Sequence, residues 1–275
     1  MKNILTLKIL SVAGFDGSGG AGITSDAKIF SKLGIFGLSA VTAMTAQNPD
    51  RIYKIEPVSD VFFSAELEAV FEYFKVDAVK TGLIYDDGQS SILSGFIDKY
   101  GVKTLVVDPV YVSTSNSIIV DKKRYPDFLT PLLKHAAVIT PNVKEAELIS
   151  RTEIKNLEEM KNAAKIIRKK FPEIKNILIK GSHITEKSGE NVIKNLLLNS
   201  KNEFYIYESK RINIGKQVHG TGCAFSACLT SYLASGIKIE SAVAETEKFI
   251  SKILKDIKKI KDNSPKKINY ITGNI

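Results

Sequence analysis

The sequence has 275 residues, 44% of them hydrophobic and 25% charged, and its 39 Lys and Arg residues against 30 Asp and Glu residues give a net charge of +9. These proportions are typical of globular proteins and exclude a disordered chain, a collagen-like repeat and a disulfide scaffold. The positive charge does not predict a nucleic-acid partner, because the densest lysine cluster, within residues 248–267, has the three-four spacing of a solvated helical face and no nucleic-acid module is recognisable.

The cysteines and the apolar segments bear on where the protein works. Two cysteines, Cys223 and Cys228, are too few for a disulfide framework and favour a reducing compartment. The N-terminal apolar run is interrupted by Lys8 and followed by Asp16, so a first strand is expected there rather than a signal peptide. The uncharged stretch 218–237 contains Gly, Ser, Thr and His, which argues against a membrane span. We therefore expect a cytoplasmic protein with no membrane contact.

Strand-like apolar runs alternate with amphipathic, helix-like segments along the chain. The predicted strands cover residues 5–14, 36–46, 77–82, 103–110, 136–142 and 176–181, and predicted helices cover 21–34, 59–74, 87–101 and 156–171. Two strand-like runs around residues 199–202 then predict an antiparallel edge hairpin, and helices follow over 220–236 and 239–260. The pattern predicts a three-layer α/β/α sandwich with a central, mostly parallel sheet. No linker or repeat divides the chain, so residues 1–275 are expected to form one domain.

Polar and glycine-rich clusters follow nearly every predicted strand. They are GFDGSGGAG, TAQN, KTG, DPV, TPNVKE, KGSH and HGTGC, in chain order. In an open parallel sheet these positions lie along one edge, outside the carboxyl ends of the strands, where ligands bind. The layout therefore predicts one site assembled from seven separate segments.

The first cluster contains the spacing Gly-x-Gly-x-x-Gly, in residues 17–22. A nicotinamide site also needs an acidic residue at the end of the second strand, and residues 42–47 contain none. The Walker spacing of P-loop enzymes is absent as well. The segment is interpreted as a turn that lets a ligand approach the backbone closely, with a plain tight turn as the alternative.

The last cluster, Gly220, Thr221, Gly222 and Cys223, opens a predicted helix. Unpaired N–H groups at a helix start, together with the helix dipole, predict an anion hole suited to a phosphoryl group. The same field is expected to lower the thiol pKa of Cys223 from about 8.5 to about 3.5–7.5, making thiolate available as a base. The alternative is a small buried hydrophobic residue, which is the interpretation preferred for Cys228.

Charged and amide side chains stand at the ends of the other strands. Asp108 and Lys180 each end an apolar strand, where exposure at the rim is expected, and Asn142 and Glu145 follow a third strand. Carboxylates that hold Mg²⁺ and a cation that neutralises phosphate charge suit phosphoryl transfer. Each of these residues could instead be a surface residue or a helix cap, so the prediction depends on the group as a whole.

Gln47 ends the second predicted strand, and its carboxamide offers a donor and an acceptor that match an aminopyrimidine edge. A turn or capping role is the equally simple alternative. Among the histidines, His135 is expected to have no chemical role. His183 and His219 lie near the expected site, and the sequence assigns them no role.

Several segments together resemble the hydroxymethylpyrimidine/phosphomethylpyrimidine kinases of thiamine biosynthesis, a branch of the ribokinase-like superfamily. The resemblance runs from Val12 to about Gly236 through SGGAGITSDAKIFSKLG, TAQN, VKTGL, VVDPV, ITPNVKEAELI, IKGSH and HGTGCAFSA. Most ribokinase-like enzymes have Asp as catalytic base where this branch and this sequence have Cys. Pyridoxal kinases of the same branch can share that Cys and remain the alternative.

The resemblance implies a role for each matching residue. The pyrimidine pocket would be lined by Gly14, Ala21, Gln47, Leu83 and Val110. Cys223 and Lys180 would be catalytic, and Lys180 would also neutralise the ATP phosphates. The anion hole would be formed by Gly220, Thr221 and Gly222. Asn142 would lie beside the phosphates and, together with Asp108 and Glu145, would organise Mg²⁺ and its waters. The implied reaction is transfer of the ATP γ-phosphoryl group to the pyrimidine's hydroxymethyl group and then to the monophosphate, by a homodimer.

The sequence departs from the family pattern beside the expected pocket. The family usually has Ser and Pro at the positions of Phe15 and Gly17, and often Met at the position of Leu83. After Asp108 the usual Lys and Gly are replaced by Thr114 and Asn116. These substitutions leave the expected kinase chemistry intact and bear on which substrate the pocket accepts.

Overall fold

The structure is a computed structural model and describes residues 7–48, 51–111, 125–182, 192–214, 218–259 and 269–270. The strands are β1 (Lys8–Asp16), β2 (Phe36–Gln47), β3 (Ile52–Pro57), β4 (Ala78–Thr81), β5 (Leu105–Val107), β6 (Ala136–Ile139), β7 (Ile177–Ile179), β8 (Val192–Leu198), β9 (Phe204–Lys210), β10 (Val218–His219) and β11 (Asn269–Tyr270). The helices are α1 (Gly22–Lys32), α2 (Asp60–Tyr73), α3 (Asp87–Tyr100), α4 (Thr130–Leu133), α5 (Val143–Ser150), α6 (Leu157–Lys170), α7 (Thr221–Ala234) and α8 (Ile239–Lys259).

Nine of the strands form one sheet in the order β3-β2-β1-β4-β5-β6-β7-β8-β9, and β10 pairs with β11 separately. Strands β1, β2, β4, β5, β6 and β7 run parallel, whereas β3, β8 and β9 pair antiparallel to their neighbours. The central strands are continuous apolar runs because helices cover both of their faces. The predicted mostly parallel sheet is confirmed.

Helices α1, α7 and α8 pack on one face of the sheet, and α2, α3, α5 and α6 pack on the other. This arrangement confirms the three-layer α/β/α sandwich. The predicted edge hairpin is also confirmed, because β8 and β9 pair through the turn that contains Asn199 and Asn202.

Five elements were not predicted from the sequence: β3, α4, α5, β10 and β11. Strand β3 forms the second edge of the sheet, and its residues are only partly buried, so its apolar pattern is weak. None of the helices in the described ranges is both long enough and apolar enough to cross a membrane.

Candidate active site

A cavity of about 540 Å³ opens at the carboxyl ends of the parallel strands. It has the size of a typical small-molecule site. Every residue that the sequence placed in the site lines it: Gly14, Ala21, Gln47, Leu83, Asp108, Val110, Asn142, Glu145, Lys180, Gly220, Thr221, Gly222 and Cys223. The predicted meeting of separate segments at one rim is thus observed in the structure.

Helix α7 begins at the wall of this cavity. Gly220 adopts a left-handed conformation with φ of 86° and offers no side-chain cap to the first turn. A Cβ atom added to Gly222 would lie 3.5 Å from Nζ of Lys180, so the ammonium group stands directly beside the helix start. Backbone N–H groups, helix dipole and lysine charge all favour an anion at this point.

The Cys223 side chain lies at the same helix start and accepts a hydrogen bond from the backbone N–H of Gly22. Burial raises the pKa of the thiol, the nearby charge of Lys80 opposes that rise, and the carboxylates of Asp26 and Asp108 add to it. The lowered pKa expected from the sequence is therefore wrong for the protein without ligands. Loss of solvation on burial is the main cause of the raised pKa, and it exceeds the opposing effects of Lys80 and of the hydrogen bond from Gly22.

Lys80 belongs to the predicted cluster KTG but was not singled out as a site residue. It occupies β4 inside the segment DAVKTG, has no solvent exposure, and forms an ion pair of 2.7 Å with the equally buried Asp26. The signal in the sequence was a lysine in the middle of a strand that is otherwise apolar. Such a residue is almost never fully buried unless it is paired.

Asp108 and Lys180 meet at the rim and are far less exposed than expected. Oδ1 of Asp108 accepts hydrogen bonds from Nζ of Lys180 at 2.8 Å and from Oγ1 of Thr140 at 2.9 Å, and Oδ2 accepts one from Oγ of Ser226 at 3.1 Å. Asp108 is only 2% exposed. The expectation of an exposed carboxylate is wrong, because α7 covers the end of β5 and supplies Ser226.

Glu145 and Asn142 form a capping box at the start of α5. The Asn142 side chain accepts a hydrogen bond from the N–H of Glu145 at 3.0 Å, and the Glu145 carboxylate accepts one from the N–H of Asn142 at 2.8 Å. Burial raises the pKa of Glu145 to about 7, Lys180 opposes the rise, and Asp108 adds to it. The helix-cap alternative is therefore correct for Glu145 and Asn142, and it coexists with their position on the cavity wall.

A further part of the cavity wall is shaped by small residues. A Cβ atom on Gly14 would lie 3.2 Å from Cδ2 of Leu83 and 3.5 Å from the carbonyl oxygen of Ala43, so a side chain there would reduce the space. Gly22 has φ of 58° and lies against the backbone of Gly14. Ala21, Gln47 and Val110 complete this wall. The result is a shallow, mostly apolar face with one carboxamide.

Other cavity residues had not been singled out. Lys144, Lys210 and Arg211 bring positive charge to the wall, and Ile214 and Leu254 bring apolar surface. Lys210 ends the hairpin strand β9 and Arg211 follows it, so a rule that considers only the predicted parallel strands misses both residues.

Some predictions concern residues that the structure does not describe or places elsewhere. Thr114, Asn116 and His183 lie outside the described residues, and so does the side chain of His219. His135 interacts with Ser94 at 3.1 Å and with Asp98 at 3.5 Å, and it does not line the cavity.

Comparison with known families and sequences identifies relatives over most of the chain. The model of the family described as phosphomethylpyrimidine kinase matches residues 16–267. The hydroxymethylpyrimidine/phosphomethylpyrimidine kinase of Haemophilus influenzae is 35% identical over 244 residues, which is 89% of each chain. The enzyme of the same name from Bacillus subtilis is 35% identical over 88% of this chain and 87% of its own.

Solved structures show the same relationship. A phosphomethylpyrimidine kinase from Clostridium difficile has a TM-score of 0.74 at 34% identity, covering 90% of this chain and 98% of its own. A pyridoxal kinase from Staphylococcus aureus, solved with AMP-PCP, has a TM-score of 0.80 at 28% identity and covers 94% of this chain and 91% of its own. These neighbours confirm the ribokinase-like fold.

Proposed function

The chain belongs to the phosphomethylpyrimidine kinase family, and we propose that it transfers the γ-phosphoryl group of ATP to 4-amino-5-hydroxymethyl-2-methylpyrimidine, and then phosphorylates the monophosphate, in thiamine biosynthesis. One observation carries the proposal: Cys223 stands at the start of α7, beside Lys180 and across one cavity from Gln47. A base, a phosphate-binding helix start and a heterocycle pocket are thereby within reach of one another.

The pyrimidine occupies the end of the cavity formed by Gly14, Ala21, Leu83 and Val110. These residues supply apolar contacts and leave room for a flat ring, since Gly14 has no side chain and its Cβ position faces Leu83. Gln47 at the end of β2 presents the donor and acceptor of its carboxamide to the amino group and the ring nitrogen.

The phosphates of ATP bind at the start of α7. Gly220, Thr221 and Gly222 present backbone N–H groups there, and Lys180 adds a full positive charge 3.5 Å from the Cβ position of Gly222. Asn142 lies on the same wall, held beside Lys180 by a β-bridge. Positioning and charge stabilisation are the main contributions an enzyme makes to phosphoryl transfer.

Asp108 and Glu145 suit Mg²⁺ as partial ligands. Both carboxylates are buried, and their mutual repulsion contributes to the raised pKa of Glu145, which a divalent cation would relieve. The described residues contain no group of three or more metal-binding side chains. Mg²⁺ commonly keeps several waters and takes one or two carboxylates plus substrate phosphates, so this donor set fits it. The bound ion would neutralise charge on the ATP phosphates.

Cys223 removes the proton of the substrate hydroxyl group in its thiolate form, which burial disfavours and the charge of Lys80 favours. The O–H bond breaks and an S–H bond forms, while the freed oxygen electrons form the new bond to the γ-phosphorus. The bond from that phosphorus to the bridging oxygen breaks, and its electrons remain on ADP. Lys180 and the N–H groups of the helix start stabilise the charge on the phosphoryl oxygens during transfer.

Pyridoxal phosphorylation is the second candidate function. The pyridoxal kinase of Staphylococcus aureus matches this fold with a TM-score of 0.80, above the 0.74 of the phosphomethylpyrimidine kinase from Clostridium difficile. Sequence identity favours the other protein: it is 28% to the pyridoxal kinase and 34% to the phosphomethylpyrimidine kinase. The pyrimidine is the preferred assignment, because the matching family model and the curated relatives at 35% identity are phosphomethylpyrimidine kinases.

The proposal extends to the domain organisation, the oligomeric state and the cellular compartment of the enzyme. Residues 1–275 act as a single kinase domain, which is supported by the nine described strands that share one sheet. Exposed Phe36 and Tyr73 both contact the ring of Phe74, and this apolar patch suits a homodimer contact. We place the enzyme in the reducing cytoplasm, where the free thiols of Cys223 and Cys228 would stay reduced. Neither nucleic acid nor a membrane is needed as a partner.

ATP consumption measured with four acceptors tests the substrate assignment. The acceptors are the hydroxymethylpyrimidine, its monophosphate, pyridoxal and pyridoxamine, each with Mg²⁺. We expect the highest kcat/KM with the two pyrimidines. A higher kcat/KM with pyridoxal would overturn the pyrimidine assignment and keep the kinase, whereas no turnover with any acceptor would overturn both.

A further inference from the structure

A charged network lies beneath the cavity, in the interior of the protein. Nζ of Lys80 on β4 is 2.7 Å from Oδ2 of Asp26 on α1, and the same oxygen accepts a hydrogen bond from Oγ of Ser11 on β1 at 2.6 Å. All three residues have an exposure of 0%. Lys80 follows Ala78 by two positions, so both side chains face the layer formed by α1, α7 and α8.

Stability does not explain this network. A buried ion pair loses the solvation of both charges, and replacing such a pair with apolar residues is often neutral or stabilising. The second carboxylate oxygen of Asp26, Oδ1, has no hydrogen-bond partner within the described ranges. The neighbouring core position on the same face is the apolar Ala78. A lysine and an aspartate at this point therefore indicate a role other than packing.

The network faces the site thiol. The charges of Lys80 and Asp26 both act on the Cys223 sulfur, and Gly22, the first residue of the helix that carries Asp26, donates its N–H to that sulfur. A Cβ atom on Gly82 would lie 3.1 Å from Nζ of Lys80, and Gly82 lines the cavity. The ammonium group thus lies just below the cavity floor, next to the thiol.

We propose that Lys80, held in place by Asp26, is a positioning residue that stabilises negative charge on the Cys223 sulfur before it accepts the substrate proton. The inference rests on the proposed role of Cys223 as the base. Lys80 gives up no proton in the step. Burial disfavours its charged form, but attraction to Asp26 and Cys223 outweighs burial and raises its pKa above the usual value.

Four charged groups act on Cys223 from four elements. Lys80 on β4 and Lys180 after β7 are cations, whereas Asp26 on α1 and Asp108 after β5 are anions. Each cation is paired with one of the anions. Removing Lys80 alone leaves an unbalanced negative charge beside the sulfur, and removing Asp26 alone leaves an unbalanced positive charge. The two substitutions must therefore shift the pKa of the Cys223 thiol in opposite directions.

The thiolate of Cys223 can be measured in the full chain by its alkylation with iodoacetamide. The alkylation rate is followed across pH by mass spectrometry of the Cys223 peptide, and its midpoint gives the thiol pKa. Lys80→Met should move this midpoint upward by at least about one pH unit, which means about tenfold less thiolate at neutral pH. Asp26→Asn should move it downward. The double variant should lie between them, and Lys80→Arg should restore much of the wild-type profile. Lys134→Met, which removes an exposed ion pair with Asp98, is the matched control.

Turnover provides a second measurement. Lys80→Met should lower kcat at neutral pH by about tenfold and keep KM for the acceptor within about threefold, because Lys80 does not line the cavity. Part of the lost rate should return as pH rises.

Equal midpoints in all variants, or midpoints that move in the same direction for Lys80→Met and Asp26→Asn, would overturn the inference. If Lys80→Met does not fold, the inference is tested by the downward shift of the alkylation midpoint in Asp26→Asn and by the midpoint of the double variant. Alkylation needs no substrate, so the two claims can fail separately. Unchanged profiles in an active pyrimidine kinase overturn only the role of Lys80, whereas shifted profiles in a protein without pyrimidine kinase activity overturn only the proposed function.

Discussion

The ammonium group of Lys180 donates a hydrogen bond of 2.8 Å to Oδ1 of Asp108, across 72 positions of sequence. The two residues follow β7 and β5, which flank β6 in the sheet. The contact therefore depends on the parallel order of these strands. It also places the cation between a buried carboxylate and the start of α7, where an incoming phosphate would compete for it.

Replacing Lys180 tests that position. Lys180→Met should lower kcat by at least about 10²-fold, the loss typical of removing one donor that stabilises transition-state charge. It should also destabilise the fold by about 3–5 kcal/mol, because Asp108 is left buried without its cation. Steady-state kinetics and urea unfolding check both effects. Lys170→Met, which removes an exposed pair with Asp127, serves as control, and equal kcat values for the two variants would contradict the role.

Glu145 should make stability depend on pH. Burial raises its folded-state pKa to about 7 from a usual value of 4.5, so between these values the unfolded chain loses the proton and the folded chain keeps it. Stability therefore falls as pH rises through this window. Glu145→Gln cannot ionise and retains the cap. Its free energy of unfolding should decline less between pH 5 and pH 8 than that of the wild type, by about 2–3 kcal/mol in urea titrations without Mg²⁺. Parallel curves would refute the assignment.

Gly22 should tolerate no side chain. Its φ of 58° is left-handed, and an added Cβ would overlap the carbonyl oxygen of Gly14. Gly22→Ala should therefore displace the N–H that bonds Cys223, lowering both thermal stability and kcat. Gly101→Ala is the matched control, because Gly101 has φ of 64° with nothing within 4 Å of the added atom. It should cost only about 1–2 kcal/mol of strain and keep the wild-type kcat. Similar losses of activity in both would show that the clash at Gly22 is unimportant.

The fold followed from the sequence where periodicity was strong. Long apolar runs such as β1 are buried on both faces and were predicted together with their crossover helices. Strand β3 was missed because its residues are half exposed and its position depends on antiparallel pairing with β2, which local pattern does not encode.

The sequence predicted which residues line the cavity, but it did not predict their burial or their pKa values. Strand ends identified Asp108 and Lys180, since a parallel sheet brings such ends to one edge, and the start of a predicted helix identified Cys223. The degree of burial was not predictable, because it depends on how α7 covers the rim. The same limit applies to Lys80, whose partner Asp26 lies 54 positions away on a packed helix.

Gln47 should control binding of the acceptor. Gln47→Leu removes both hydrogen-bonding groups at similar size, and we expect KM for the pyrimidine to rise by at least about tenfold, the effect of losing one to two hydrogen bonds. KM for ATP should stay unchanged, because we propose that the phosphates bind at the start of α7 and not at Gln47. An unchanged pyrimidine KM in this variant would assign Gln47 to the turn that follows β2.

The most direct test compares the two cysteines of helix α7. Cys223 lines the cavity and contacts Gly22, whereas Cys228 is buried in the core one and a half turns further along the same helix. At saturating ATP and hydroxymethylpyrimidine, Cys223→Ala should lower kcat by at least about 10²-fold, and Cys228→Ala should stay within about threefold of the wild type. A Cys223→Ala variant that keeps the wild-type kcat would contradict a proton-accepting thiolate at the start of α7.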